Sequence, residues 1–281
     1  MLKQLAIGLL LVCSSGVVAS PQTLRIVALA PHIVENLFAI GAGDNIVGTV
    51  DYADYPQEAT KIERIGGYNG ISIEKLLMLK PDMVIAWNRG NQAEDLAQIK
   101  RLGIELYLSD PRSIEGVASE ILKLGQITGH IEQSKQVAET FTAKLNAIKV
   151  TQKDKTTLTG FYQLWPEPMM TVSKNTWINQ LIETCQVTNV FANSDTDYPQ
   201  ISIENVIVTK PQVIIIPDEK SKRVIPTVNW QQWPEIPAVK YEQFISVNAD
   251  LLHRFTPRML DGLAQMCDKV DISRELIKSQ L

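Results

Sequence analysis

Apolar runs of strand length alternate along this chain with stretches whose apolar positions recur every three or four residues. Leu24 to Leu29 reads as a strand and Val34 to Ile40 as a helix. Ile46 to Val50 is the next strand. Ile73 to Leu79 is helical and leads into a buried strand over Met83 to Trp87. Ala93 to Leu102 is helical again, and Ile104 to Leu108 returns to a strand. This alternation predicts parallel sheets covered by helices.

The pattern then repeats in actual residues. Tyr68-Asn69-Gly70-Ile71-Ser72-Ile73-Glu74 recurs as Tyr198-Pro199-Gln200-Ile201-Ser202-Ile203-Glu204. The register carries on through Lys80-Pro81 and Lys210-Pro211 into Met83-Val84-Ile85 and Val213-Ile214-Ile215. The offset is 130 throughout, and 8 of the 20 positions from 68 to 87 are identical to their mates. That is far longer than a solenoid period, so it points to two similar lobes. Locally, Ser72 and Ser202 are placed to cap the following helix. Glu74 and Glu204 fall in its first turn, where a carboxylate meets the positive end of the helix dipole. Pro81 and Pro211 stop each helix ahead of its buried strand.

Between the lobes, Val137, Phe141, Leu145 and Ile148 form one apolar stripe within the polar stretch from Glu132 to Lys149. This predicts a long helix, with Lys149 to Thr157 as a connector. The expected organisation is a leader over 1–19, an N-terminal lobe over 20–127, a connecting helix and linker over 128–152, and a C-terminal lobe over 153–281.

The leader is read from Met1-Leu2-Lys3, the apolar stretch Leu5 to Val12 and the small-residue site Val17-Val18-Ala19. Eight apolar residues are too few to span a bilayer about 30 Å thick, so this is the anatomy of a secretory signal peptide. Lipidation at Cys13 is the rival reading, opposed by the large Val12 before it. With 27 Lys and Arg against 31 Asp and Glu, the net charge is −4. No overall basic excess is available for a phosphate backbone, which argues against nucleic acid as a partner. After export Cys185 and Cys267 remain. A disulfide between them would close a loop of 82 residues, worth on the order of 4 kcal/mol. Two separately buried thiols are the alternative.

Much familiar chemistry is missing. There is no Walker A pattern, no nucleophile elbow and no complete dinucleotide fingerprint. His32, His130 and His253 each stand apart from any second ligand, so no metal site is expected. What remains is aromatic. Tyr52 and Tyr55 lie after one strand, Tyr68 and Tyr198 precede the repeated helices, and Trp87 and Trp165 end strands. Ligands of open α/β sheets bind outside the carboxyl ends of the strands. Two such edges facing each other would make an aromatic cleft for a large, flat, partly apolar guest.

These residues resemble a known family, the periplasmic binding proteins of ATP-driven importers for cobalamin, haem and iron–siderophores. The matching stretches are Arg25 to Pro31 with Glu35, Asp54-Tyr55-Pro56, Ile73-Glu74, and Lys80 to Trp87. Further on they are Tyr198-Pro199-Gln200, Glu204, Ser246 to Arg254 and Thr256-Pro257-Arg258. Within the family the chain is most similar to the cobalamin binders. The resemblance implies two Rossmann-like α/β lobes joined by one long helix, with the ligand cleft between them. It implies that Tyr52, Asp250, Leu251, Leu252, His253 and Arg254 contact the corrinoid, with Tyr68, Trp87 and Tyr198 around the cleft. It also implies that Glu74 and Glu204, one per lobe, dock on a permease dimer of the inner membrane. Cobalamin would be cargo rather than cofactor, and the protein a periplasmic monomer with no enzymatic step. Where the cobalamin binders carry tryptophan, this chain has Tyr68 and Tyr198. Tyrosine can ligate haem iron, which keeps haem or an iron–siderophore as the alternative guest. An exported enzyme and a structural lobe of a larger complex are the remaining classes.

Overall fold

The computed structural model describes residues 24–218 and 228–279. The leader over 1–19 and Cys13 lie outside the described residues.

The N-terminal half runs β1 (Ile26–Ala28), α1 (Pro31–Ala39), β2 (Ile46–Thr49), β3 (Gly66–Gly67), β4 (Gly70–Ile71), α2 (Ile73–Met78), β5 (Met83–Trp87), α3 (Ala93–Arg101), β6 (Glu105–Ser109) and α4 (Gly116–Thr128). Helix α5 (Ile131–Gln152) follows. The second half runs β7 (Leu158–Tyr162), β8 (Trp165–Pro166), β9 (Met169–Met170), α6 (Trp177–Thr184), β10 (Val187–Asn189), α7 (Ile203–Thr209), β11 (Val213–Asp218), α8 (Pro237–Lys240), β12 (Phe244–Asn248), α9 (Ala249–Leu252) and α10 (Met259–Ser279). Each half builds one four-stranded sheet, ordered β2-β1-β5-β6 and β10-β7-β11-β12. Every pairing inside these sheets is parallel. In both, the strand that comes first along the chain sits between the second and the third, so the two lobes share one topology.

The inner strands β1, β5, β7 and β11 are buried on both faces over most of their length, which is why they read as near-continuous apolar runs, while β6, β10 and β12 each leave residues exposed. One face of each sheet joins a core that runs through the whole molecule: Ile26, Ala28 and Ile85 from the first lobe, Tyr162, Val213 and Ile215 from the second. The other face of each sheet has its own small core. Val27, Val84 and Ala86 pack with Leu76 of α2. Phe161 and Ile214 pack with Val206 of α7. Leu76 and Val206 are repeat mates, so the repeated helices cover equivalent outer faces.

The repeat also behaves as its residues dictate. Ser72 accepts from the Lys75 amide at 3.2 Å and Ser202 from the Asn205 amide at 3.4 Å. In α7 the Asn205 side chain accepts in turn from the Ser202 amide at 3.0 Å, completing a reciprocal cap. Lys80 and Lys210 both adopt left-handed backbone, at φ 46° and 49°. The proline that follows each one disfavours right-handed helical backbone there.

Of the α5 stripe, Phe141 and Leu145 are buried in the shared core, and Val137 and Ile148 pack half-buried against it. The helix runs on to Gln152, past the connector expected from Lys149, because Gln152 is buried and donates to Asp271 at 3.3 Å. Cys185 at the end of α6 is bonded to Cys267 of α10, with their Cα atoms 4.8 Å apart. The disulfide alternative, rather than separate thiols, is therefore what the structure holds.

Candidate functional site

A cleft of about 740 Å³ opens between the lobes. Tyr68, Trp87, Arg89, Gly90, Pro111 and Arg112 line it on one side. On the other side are Leu164, Trp177, Tyr198, His253 and Phe255, with Asn175, Thr176, Ile178 and Asp197. Most of the first group follow the carboxyl ends of β5 and β6, where a parallel sheet leaves its crevice.

Each ring is held by a local device. Trp87 ends β5, and its amide donates to Asn91 Oδ1 at 2.7 Å. Asn91 Nδ2 reaches back to the Leu29 carbonyl at 2.9 Å, tying the loop to the end of β1. Gly90 lies under the indole, where an added Cβ would come within 1.9 Å of the Trp87 ring. The indole Nε1 is buried without a hydrogen-bond partner among the described residues. Tyr68 sits in the turn between β3 and β4 and is 81% exposed. Gln92 donates to its carbonyl at 3.0 Å, and Asp95 accepts from the Ile71 amide at 3.1 Å, so the start of α3 holds this hairpin. Tyr198 is less open, and burial with the neighbouring Asp197 pushes its phenol up.

The floor joins the lobes. His253 is buried, bonded to the Tyr162 hydroxyl at 2.9 Å, and lowered by burial to about 4. His32, behind Trp87 and Phe255 with ring centroids 5.3 and 6.0 Å away, is lowered to about 3 by burial and by Arg254. Both imidazoles are therefore neutral near pH 7 and offer no positive charge to a guest. Trp177 and Phe255 stack obliquely at 4.5 Å, and Trp177 donates to the Leu252 carbonyl at 3.2 Å.

Of the residues the sequence singled out, Tyr68, Trp87, Tyr198 and His253 come together on the cleft. Tyr52 is exposed in left-handed backbone outside that lining. Leu252 is buried in the core, and Asp250 and Leu251 lie beside it on α9. Arg254 is turned inward. It meets Glu35 at 2.7 Å, Asp54 at 3.0 Å and Asp250 at 3.2 Å. Arg258 meets the other oxygen of Glu35 at 3.0 Å and lies over the Tyr55 ring at 3.5 Å. With Asn36 donating to the Phe255 carbonyl at 2.9 Å, this cluster fastens α1 of one lobe to the other. Burial pushes the Glu35 carboxyl up against the pull of the two guanidiniums.

Arg89, Arg112, Trp177 and Phe255 were not singled out in the sequence. Arg89 follows Trp87, and Arg112 follows β6, so the strand-end rule applied to every strand points to both. Trp177 opens a helix and carries no such signal. Arg89 and Arg112 share Asp110, Arg89 at 3.3 Å and Arg112 at 2.5 Å. Among the described residues no group of three potential ligand side chains is arranged to hold a metal ion. No helix there is long and apolar enough to cross a membrane.

Two similar parallel-sheet lobes, one connecting helix and a ring-lined cleft between them define a class of solute-binding proteins. The chain belongs to the periplasmic binding protein family, whose model matches residues 26–251, and with it to periplasmic proteins. It is 36% identical to the vitamin B12-binding protein of Vibrio cholerae over 253 residues, 89% of this chain and 90% of that one. The crystal structure of the periplasmic vitamin B12-binding protein of Vibrio cholerae superposes with a TM-score of 0.81, at 36% identity, covering 89% of this chain and 97% of that one. A periplasmic haem-binding protein from Roseiflexus sp. RS-1 superposes with a TM-score of 0.77 at 22% identity, covering 90% and 99%, and shares the fold.

Proposed function

We propose that this chain captures cobalamin between its lobes and delivers it to an ATP-driven importer in the inner membrane. The observation that carries the reading is the likeness to vitamin B12-binding proteins along nearly the whole of both chains. The cleft supports it independently. Tyr68, Trp87 and Tyr198 offer flat faces to a wide apolar macrocycle, and Arg89 and Arg112 offer donors to its polar rim. Binding makes and breaks no bond. In this reading 20–127 and 153–281 are the two jaws and 128–152 the strut. His253 forms the floor, and Tyr52, Asp250 and Leu251 meet the rim of the guest. Leu252 and Arg254 act from behind, by holding that loop in place.

Delivery uses Glu74 and Glu204. They stand at equivalent places on two lobes, so a monomer presents a pseudo-twofold pair to a twofold permease dimer. Charge pairing would steer and orient the encounter. The Glu74→Ala/Glu204→Ala variant is expected to bind cobalamin as the parent does and to lose uptake. Unchanged uptake in cells carrying only that variant removes the assignment.

Haem is the second reading, favoured by the two tyrosines of the cleft. Thermal unfolding with cyanocobalamin or haemin separates the two. Protection by cyanocobalamin alone is the expected result. Protection by haemin, with a Soret band lost in Tyr68→Phe, would transfer the assignment to haem.

A further inference from the structure

The repeat leaves something on the surface that the glutamates do not explain. Met78 is 74% exposed and Val208 is 78% exposed. With Val150 they are the most exposed aliphatic side chains among the described residues. A single exposed aliphatic residue means little, since much of any protein surface is apolar. These two are repeat mates, 130 apart, on α2 and α7. Each lies four residues after its glutamate, which puts carboxylate and apolar side chain on one helix face. The opposite face is spent on the core, through Leu76 and Val206. Core packing therefore does not account for Met78 or Val208. Neither Glu74 nor Glu204 has a lysine or arginine partner among the described residues. Ser202 instead holds the Glu204 carboxyl below its usual range, keeping it charged.

We infer that Met78 and Val208 are the apolar anchors of the docking surface. Each lobe offers a two-part contact, an unpaired carboxylate and an aliphatic side chain one helical turn away. The occupant it fits is a twofold-symmetric permease whose halves each present a cation beside an apolar pocket. The charge brings the partner in and sets its orientation, and desolvation of the aliphatic side chain holds it. This rests on the docking reading above and adds to it the residues that set residence time.

The test uses the full-length mature protein and the importer of its own organism in lipid nanodiscs. Met78→Gln/Val208→Thr is compared with Glu74→Gln/Glu204→Gln. The apolar pair is expected to weaken docking by roughly tenfold, chiefly through faster dissociation. Cyanocobalamin affinity and thermal midpoint should stay at parental values, because both side chains are exposed. Docking that survives in the apolar variant but is lost in the glutamate variant overturns this inference and leaves the docking reading standing. Docking untouched by both variants overturns the docking reading itself. Equal binding to nanodiscs without importer would show a lipid occupant and would also overturn the proposal.

Discussion

Helices α2 and α7 start on the same serine cap, bury the mates Leu76 and Val206, and turn Glu74 and Glu204 outward. The strand ends facing the cleft have little in common. On one side β5 ends on Trp87, with Gly90 beneath the ring and Arg89 beside it. On the other, the lining is drawn from the segments after β7, β10 and β12, with Leu164, Tyr198 and His253. The outer faces are thus duplicated and the inner faces are not. A guest without symmetry makes no demand that the two jaws match, whereas a twofold partner does. The lobes differ again in how they are fastened. The second carries the Cys185–Cys267 bond, while Arg254 and Arg258 tie the two together through Glu35.

The largest effect is expected where the second lobe has no counterpart in the first. Cys185→Ser/Cys267→Ser should cost on the order of 4 kcal/mol, a fall of roughly 8–16 °C in thermal midpoint by calorimetry. An unchanged midpoint would mean that packing of α6 on α10 alone carries that lobe.

Acid comes next. His32 titrates near 6.5 when unfolded and at about 3 when folded. The unfolded chain therefore takes up a proton that the folded protein refuses. Stability from this group is full above about pH 6.5 and declines as pH falls toward about 3, at about 1.4 kcal/mol per pH unit. Glu35, with its raised carboxyl, acts in the opposite sense but is present in both proteins compared. Urea titrations at about pH 7 and about pH 5 should show a smaller loss for His32→Leu than for the parent. Parallel losses would place the acid sensitivity elsewhere.

Smaller effects separate the two jaws. Tyr68→Ala should lower cyanocobalamin affinity by roughly tenfold. Tyr198→Ala should lower it less, because Tyr198 is 39% exposed without a guest against 81% for Tyr68. Gly90→Ala should act through the displaced Trp87 ring, reducing affinity with the fold intact. Smallest of all, Ser72→Ala and Ser202→Ala should each cost about 1 kcal/mol. Clearly unequal losses would break the equivalence of α2 and α7.

Much of this was legible in the residues. The period of apolar positions gave β1, β2, α2, β5, α3 and β6 of the first lobe to within two residues at their ends, whereas α1 starts at Pro31, three residues before the expected Val34. The repeat from Tyr68 to Ile85 gave the doubled topology, because caps and proline stops are local and act alike wherever they recur. The stripe on α5 gave the strut, and Cys185 with Cys267 the cross-link. What stayed hidden depends on contacts remote in sequence. Arg254 pairs with Glu35, 219 positions away, and no local pattern tells an arginine facing a guest from one facing a buried carboxylate. Trp177 likewise reaches the cleft only because α6 packs beside the segment that carries Phe255.

Calorimetric titration of cyanocobalamin into the parent protein and into Tyr68→Ala/Tyr198→Ala decides whether the guest sits between the lobes. Saturable heat at one guest per chain is expected in the parent, with a large loss of affinity in the variant. No heat in the parent, or equal affinity in both, would contradict a guest held between the two lobes.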